Sequence, residues 1–168
     1  MKLHTLHLLI FATLVSGCAT APRAPQEPEI SVQLPGTAVE VQHFIEQKLR
    51  STPQTSVFKV DSANDRAIVF KANCMDTPTM NAFKCAAIMM GVGNSGWDGP
   101  YAVMTFRTAE IRDVVHLTVS TQWCATNAFG KTNCMNDGNN SSRNQLLRSV
   151  ESGYLENAEP KERAESPA

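Results

Sequence analysis

The sequence predicts an α+β fold, a two-layer sandwich in which N- and C-terminal helices cover one face of an antiparallel sheet of about four strands. Three observations predict this class. Apolar residues recur at helical spacing near residues 41–49 and 146–154, β-rich runs lie between them, and turn-rich segments separate those runs. Helices packed on one face of a sheet would bury all of these apolar rows together.

The first helix is predicted over residues 37–50. Thr37 and Glu40 have the spacing of a capping box, in which each side chain binds the backbone N–H of the other residue. Pro53 then prevents the helix from continuing. The apolar stripe of this helix consists of Val41, Phe44, Ile45 and Leu49.

Four strands are predicted next. Val57–Val60 and Arg66–Asn73 flank a polar segment and predict a hairpin with a five-residue loop, and Tyr101–Thr108 and Asp113–Trp123 predict two further strands. The last run alternates, which is typical of an antiparallel strand with one buried and one wet face. The predicted buried side chains are Val115, Leu117, Val119 and Trp123, and the predicted wet ones are His116, Thr118, Ser120 and Gln122.

The last helix is predicted to begin at Ser141 or Ser142 and to run to about Leu155. Residues 78–92 are ambiguous, because Thr77 and Pro78 suit a helix start while the run also suits a short strand. The predicted domain therefore spans residues 36–156. Residues 157–168 are charged and lack large apolar side chains, which predicts a disordered tail.

The composition limits the classes of function. The 168 residues carry 15 basic and 16 acidic side chains, and this near balance argues against a general nucleic-acid binder. A length of 168 residues is typical of one domain. The 42% hydrophobic content supports one core, and the 18% charged content lies below the roughly 25% of average soluble domains.

The N-terminal residues predict a secretory signal peptide over residues 1–17. A positive start at Lys2 is followed by an apolar run over residues 8–15 that is interrupted only by Thr13. Eight residues cannot span a bilayer core, which takes about 20. A charged start, a short apolar run and small residues at its exit are typical of an export signal.

Residues 14–18, Leu-Val-Ser-Gly-Cys, resemble the lipobox of bacterial lipoproteins. The resemblance implies cleavage before Cys18 and lipidation of its thiol, and two or three acyl chains hold a protein firmly in a membrane. Ala19 follows in place of the aspartate that retains lipoproteins in the inner membrane, which implies the outer membrane and a domain that faces the periplasm. The Pro-rich residues 18–35 are predicted to be a tether, whose 17 residues after Cys18 would reach roughly 50 Å.

Four cysteines remain after Cys18, and an even number in an exported chain predicts two disulfides. Of three connectivities we expect the two local pairs, Cys74–Cys85 and Cys124–Cys134. Each of these loops opens at the end of a predicted strand and contains the string Asn-Ala-Phe.

A metal site is the alternative interpretation of the cysteines. Structural zinc sites place cysteine pairs two to four residues apart, whereas the gaps here are much longer. Soft sulfur ligands would suit Cu(I). The methionines that would join such a set are Met75, Met89, Met90 and Met135. We expect these methionines to fill an irregular core instead, and we expect no metal and no cofactor.

The sequence predicts a binding protein and not an enzyme. His116 and Ser120 could be combined with an acid into a hydrolase site, but the chain lacks the G-x-S-x-G turn that exposes a nucleophilic serine. Trp97 lies among glycines, and tryptophan is enriched at interface hot spots. We therefore expect a partner protein of the cell envelope to contact Trp97, His116 and Arg107. The alternatives are a carrier of a lipid-like ligand, which the Met- and Ala-rich residues 86–92 suggest, and a hydrolase that uses His116.

We expect Cys18→Ser to release the chain from the membrane or to leave an uncleaved precursor, because Cys18 is the only predicted site of lipid attachment. Cell fractionation with immunoblotting distinguishes these products. Thr20→Ser lies two residues beyond the cysteine, and we expect this control variant to be processed and retained. Normal processing and retention of Cys18→Ser would contradict the lipoprotein prediction.

Overall fold

A computed structural model describes residues 27–93 and 98–164. The fold is α+β with an antiparallel sheet, as the sequence predicts, and none of the helices in these two segments is both long and apolar enough to cross a bilayer. In chain order the elements are β1 (Val32–Pro35), α1 (Ala38–Ser51), β2 (Lys59–Asn64), β3 (Ala67–Asn73), a 3₁₀ turn (Cys74–Asp76), α2 (Ala82–Gly91), β4 (Asp98–Ile111), β5 (Val114–Thr126), β6 (Thr132–Asn136) and α3 (Asn140–Ala164).

The sheet has six described strands, so the expected number of about four was too low. Their order is β1-β5-β4-β3-β2, and β6 pairs with the C-terminal part of β5. β1 pairs with the N-terminal part of β5, and therefore β1 and β6 share the edge of β5 that β4 leaves free. Arg112 and Asp113 join β4 to β5 in a two-residue turn, and both have positive φ, as hairpin turns of the primed types require.

The core lies between the sheet and the helices α1 and α3. The helix α1 packs on β4, and α3 packs on β1, β5 and α1. Phe70 and Phe106 meet edge to face in this core, with ring centroids 6.0 Å apart. The other fully buried side chains at its centre include Leu34, Val41, Ile45, Leu49, Val115, Leu117, Leu147 and Val150.

Polar contacts fix the position of α1. Thr37 and Glu40 form the predicted capping box at its start. The buried Gln42 side chain donates hydrogen bonds to the Asn64 carbonyl at 2.9 Å and to the Thr108 hydroxyl at 3.0 Å. Both acceptors lie on the sheet. The buried Gln42 amide keeps its hydrogen bonds only if α1 stays in this position on the sheet.

The prediction of a free tether over residues 18–35 was wrong for its last part. Val32–Pro35 form β1, because Val32 and Leu34 alternate inward and the backbone completes the free edge of β5. The segment before β1, residues 27–30, lies along α3, and we call it the strap. Its contacts with α3 are Asn140 Nδ2 to the Glu27 carbonyl at 2.6 Å, Asn144 Nδ2 to the Pro28 carbonyl at 2.8 Å, Arg143 to Glu29 at 2.9 Å, and the Ile30 amide to Asn144 Oδ1 at 3.3 Å.

The prediction of a disordered tail from residue 157 was also wrong for most of its length. The helix α3 continues to Ala164. Six of residues 157–164 are Ala, Glu, Lys or Arg, which favour helix, and extending an existing helix avoids the cost of nucleation, although Pro160 removes one backbone hydrogen bond.

We expect Leu34→Ala to lower the free energy of unfolding by about 2–5 kcal/mol, because the Leu34 side chain is fully buried in the core. Gln33→Ala on the same strand is exposed and should change this free energy by less than about 0.5 kcal/mol. Urea unfolding followed by circular dichroism measures both. Equal effects of the two variants would contradict the assignment of β1 to the domain.

Candidate functional site

The structure brings several predicted site residues onto the side of the sheet opposite to α1 and α3. We call the side chains of Thr105, Arg107, His116, Thr118, Ser120 and Gln122 the open face. Arg107 is paired with Thr118 across the strands, and Ala109 is paired with His116. Arg107 and His116 are therefore diagonal neighbours, at the roughly 7–8 Å typical of such positions.

His116 does not meet the serine that a hydrolase would need. Ser120 lies four residues further along β5, which is about 13 Å at the rise of a strand. A general base must lie within hydrogen-bond reach of its nucleophile. The geometry of β5 therefore removes the catalytic pair considered from the sequence.

On this side of the sheet, a charged pair formed by Lys71 and Asp61 lies on β3 and β2. Lys71 forms an ion pair with Asp61 at 2.9 Å and lies over the ring of Tyr101, 5.4 Å from its centroid. The hydrogen bond to Asp61 raises the pKa of Lys71 above its usual value of 10.5. A broad cleft of about 790 Å³ lies beside these residues and extends to Met75 and Asp76. The Lys71 ammonium group is already paired with Asp61 and the Tyr101 ring. It therefore offers little charge to bind a ligand.

The helix α2 presents an apolar surface to solvent. Its ten residues bury only Cys85, and Lys84 is the only charged residue. Phe83 is 84% exposed and Met90 is 76% exposed. Phe83, Ala86, Ala87 and Met90 are all exposed and lie at i, i+3, i+4 and i+7, so they form one face, which we call the α2 stripe.

The α2 stripe was missed in the sequence because residues 78–92 gave no clear period. Apolar residues occupy both faces of the helix, so periodicity cannot show which face is buried. Of the two possibilities that the sequence left open for residues 78–92, the structure has the helix, but it begins later than Thr77 and Pro78. Asn81 caps α2 instead, since its side chain accepts a hydrogen bond from the Lys84 amide at 2.9 Å.

Two disulfides hold this end of the domain, with the pairing that the sequence favoured. Cys74 is bonded to Cys85, and Cys124 is bonded to Cys134. The first bond ties α2 to the end of β3, and the second ties β6 to β5. All four sulfur atoms are consumed, so they cannot act as the thiolates that the alternative copper or zinc site requires.

Further apolar side chains are exposed near the disulfides. Phe129, in the turn between β5 and β6, is 96% exposed, and Met75 beside Cys74 is 62% exposed. Met135 on β6 packs on the end of α2, because a Cβ atom at Gly91 would lie 3.2 Å from its sulfur. The methionines were predicted to fill an irregular core, but Met75, Met90 and Met135 are exposed.

Trp97 lies outside the described residues. Its segment joins Gly93, just after α2, to Asp98, which pairs with Thr126 at the disulfide end of the sheet. Arg107 lies nine residues along β4 from Asp98, about 30 Å at the rise of a strand. Arg107 therefore lies far along β4 from the disulfide end of the sheet, where Asp98 pairs with Thr126.

Comparison of the chain with protein-family models, curated proteins and solved structures gave no match. Within the described segments there is also no group of three or more His, Cys, Asp or Glu side chains that could hold a metal ion. The geometry of the α2 stripe is thus the strongest indication of a functional surface.

We expect the paired substitution of Cys74 and Cys85 by serine to speed amide hydrogen exchange in α2 more than in β3–β5. A ten-residue helix is marginal alone, whereas the sheet packs without this bond. Exchange measured by mass spectrometry tests this difference. The matched pair, Cys124 and Cys134 to serine, should affect β6 and leave α2 protected. Unchanged exchange in α2 after loss of the first bond would contradict the expectation.

Proposed function

We propose that the chain is a bacterial outer-membrane lipoprotein, anchored through Cys18 after removal of residues 1–17, whose periplasmic domain binds another protein of the cell envelope. The lipobox resemblance supports the anchor. The α2 stripe is the observation that carries the binding proposal, because contiguous apolar patches on a small domain are typical of interaction sites.

The strap limits how far the domain reaches from the membrane in this proposal. Because residues 27–30 are bound to α3, only residues 19–26 would separate Cys18 from the domain. Eight residues span at most about 29 Å, compared with the roughly 50 Å expected from the sequence. In this proposal the strap would therefore lie within about 29 Å of the lipid anchor.

A protein partner fits the α2 stripe better than a lipid surface. Helices that lie on membranes carry a polar face rich in Lys and Arg, whereas α2 has only Lys84 and its opposite side is closed by Cys85. The small residues Ala86 and Ala87 lie between Phe83 and Met90 on the exposed face. Methionine adapts to such contacts because its side chain is flexible and polarisable.

We assign the contact to the α2 stripe and the adjoining segment that contains Trp97. Arg107 lies nine residues along β4 from Asp98, so Arg107 and His116 form a second, polar patch away from the disulfide end of the sheet. Trp97 follows α2 closely in the chain, and we keep it in the proposed contact on the basis of the sequence alone. The open face is then a secondary contact in this proposal.

The two alternatives lose their main support. The carrier hypothesis depended on residues 86–92 lining a space between sheet and helices, but Ala86, Ala87 and Met90 face solvent. The hydrolase hypothesis depended on His116 and Ser120 acting together, and about 13 Å along β5 separates them.

We expect the double substitution Phe83→Ser and Met90→Ser to weaken the complex by more than about 1 kcal/mol, which is roughly fivefold in affinity. Both side chains are exposed, so the free energy of unfolding should hardly change. A photoreactive amino acid at Ala87 should give a discrete cross-linked protein in cells, and the double substitution should abolish that band.

Val39 is the matched control, because it is an apolar side chain on α1 that is 70% exposed. Val39→Ser should keep full affinity, and a photoreactive residue there should give no discrete band. Equal cross-linking at both positions would contradict the proposed surface. Binding of the unlipidated domain to protein-free vesicles, lost in the double variant, would show a lipid contact in place of a protein contact.

A further inference from the structure

Met90, at the C-terminal end of the α2 stripe, is the most exposed methionine of the segments that the structure describes. It is 76% exposed, compared with 62% for Met75 and 40% for Met135. Met104 lies in the core and is only 6% exposed. A small oxidant in solution can therefore reach the Met90 thioether directly, and oxidation of methionine to its sulfoxide is a common and reversible reaction.

The cysteines of the domain do not compete for such an oxidant. The described segments contain four cysteines, and all of them are joined in the bonds Cys74–Cys85 and Cys124–Cys134. Peroxides oxidise cysteine in its thiolate form, which a disulfide sulfur does not have. Within these segments the exposed methionines are therefore the sulfur groups that a mild oxidant meets first.

Met90 is also the only residue of the α2 stripe that a mild oxidant changes. Phe83, Ala86 and Ala87 have hydrocarbon side chains, which peroxides leave intact. Sulfoxide formation gives the flexible apolar side chain of Met90 a polar acceptor oxygen. Burying this oxygen in an apolar contact without a donor costs free energy. One added oxygen atom therefore opposes the contact that the α2 stripe offers to a partner.

The fold does not depend on the exposed Met90 side chain. The helix α2 buries only Cys85, and the bond from Cys85 to Cys74 ties it to the end of β3. Met104, which belongs to the core, is protected by its burial. Oxidation of Met90 would therefore change the surface of α2 and leave the domain folded.

We propose that Met90 is an oxidation switch of the α2 stripe, which a peroxide sets by converting the thioether into the sulfoxide and which a thiol-dependent reductase resets. The reduced stripe binds the partner, and the oxidised stripe releases it. The release rests on the proposed function, because it needs a partner on the α2 stripe. The reaction at Met90 does not need one.

The reaction needs only hydrogen peroxide as the oxidant. The Met90 sulfur donates an electron pair to one peroxide oxygen, the O–O bond breaks, and the other oxygen leaves as water after proton transfer. The sulfur is oxidised to the sulfoxide and the peroxide is reduced. In the reverse direction a reductase removes the oxygen as water, and two of its thiols are oxidised to a disulfide.

Peptide mass spectrometry tests the first step without a partner. The protein is the chain from residue 18 with Cys18→Ser, treated with hydrogen peroxide for increasing times. We expect Met90 to gain one oxygen atom at least about tenfold faster than Met104, because only Met104 is buried. Near-ultraviolet circular dichroism should show that the oxidised chain is still folded.

Photocrosslinking from Ala87 tests the release in isolated membranes that contain the full lipidated chain. Peroxide treatment before irradiation should weaken the discrete cross-linked band at least about threefold, and methionine sulfoxide reductases of both stereospecificities should restore it. Met90→Leu should keep the band after peroxide, because leucine is apolar and is not oxidised. Met75→Leu is the matched control and should lose the band as the unchanged chain does.

Three results would overturn the proposal: oxidation of Met90 no faster than that of Met104, an undiminished band when Met90 is fully oxidised, or equal loss of the band in Met90→Leu. The last result would place the sensitive group on the partner or elsewhere on this chain. Absence of any band before peroxide treatment would instead contradict the proposed function, and the release would fall with it.

Discussion

The strand β5 is the element on which the rest of the structure depends, because it takes part in three of the five strand pairings among the described residues. Its alternation directs Val115, Leu117 and Val119 to the helices and leaves His116 on the opposite side. Its 13 residues are long enough for β1 and β6 to share one edge. The strap and the disulfide end are thus both positioned by one strand.

The two sides of the domain are stabilised by different means. Apolar burial and the Gln42 hydrogen bonds hold α1, whereas α2 buries one cysteine and is held by a covalent bond. A helix that is fixed in this way need not bury its apolar residues, so the α2 stripe stays available for a partner. On the side of α3, the buried Arg143 side chain binds Glu29 and so holds the strap.

Much of the framework could be predicted from local patterns. The capping box of Thr37 and Glu40 marks the start of α1 because it satisfies amides within one turn. The alternation in β5 predicts which side chains are buried because a strand has a period of two. The local disulfides were predicted from the even number of cysteines after Cys18 and from the position of each local pair at the end of a predicted strand. Each of these signals is complete within a few consecutive residues.

The functional surfaces needed the tertiary structure, because their signals come from distant residues. The four residues of β1 pair only with β5, which is far away in the chain. The neighbouring prolines therefore indicated a tether, and the strand could not be predicted from local sequence. The helix α2 is apolar on both faces, and its packing on β4 and β5 together with the bond from Cys85 to Cys74 decides that Phe83 and Met90 face solvent. Arg143 is buried because Glu29, 114 residues away, lies against it. The sequence by itself therefore determined most of the helices and strands through contacts between near neighbours, whereas the exposure of the α2 stripe and the burial of Arg143 were decided by packing between segments far apart in the chain.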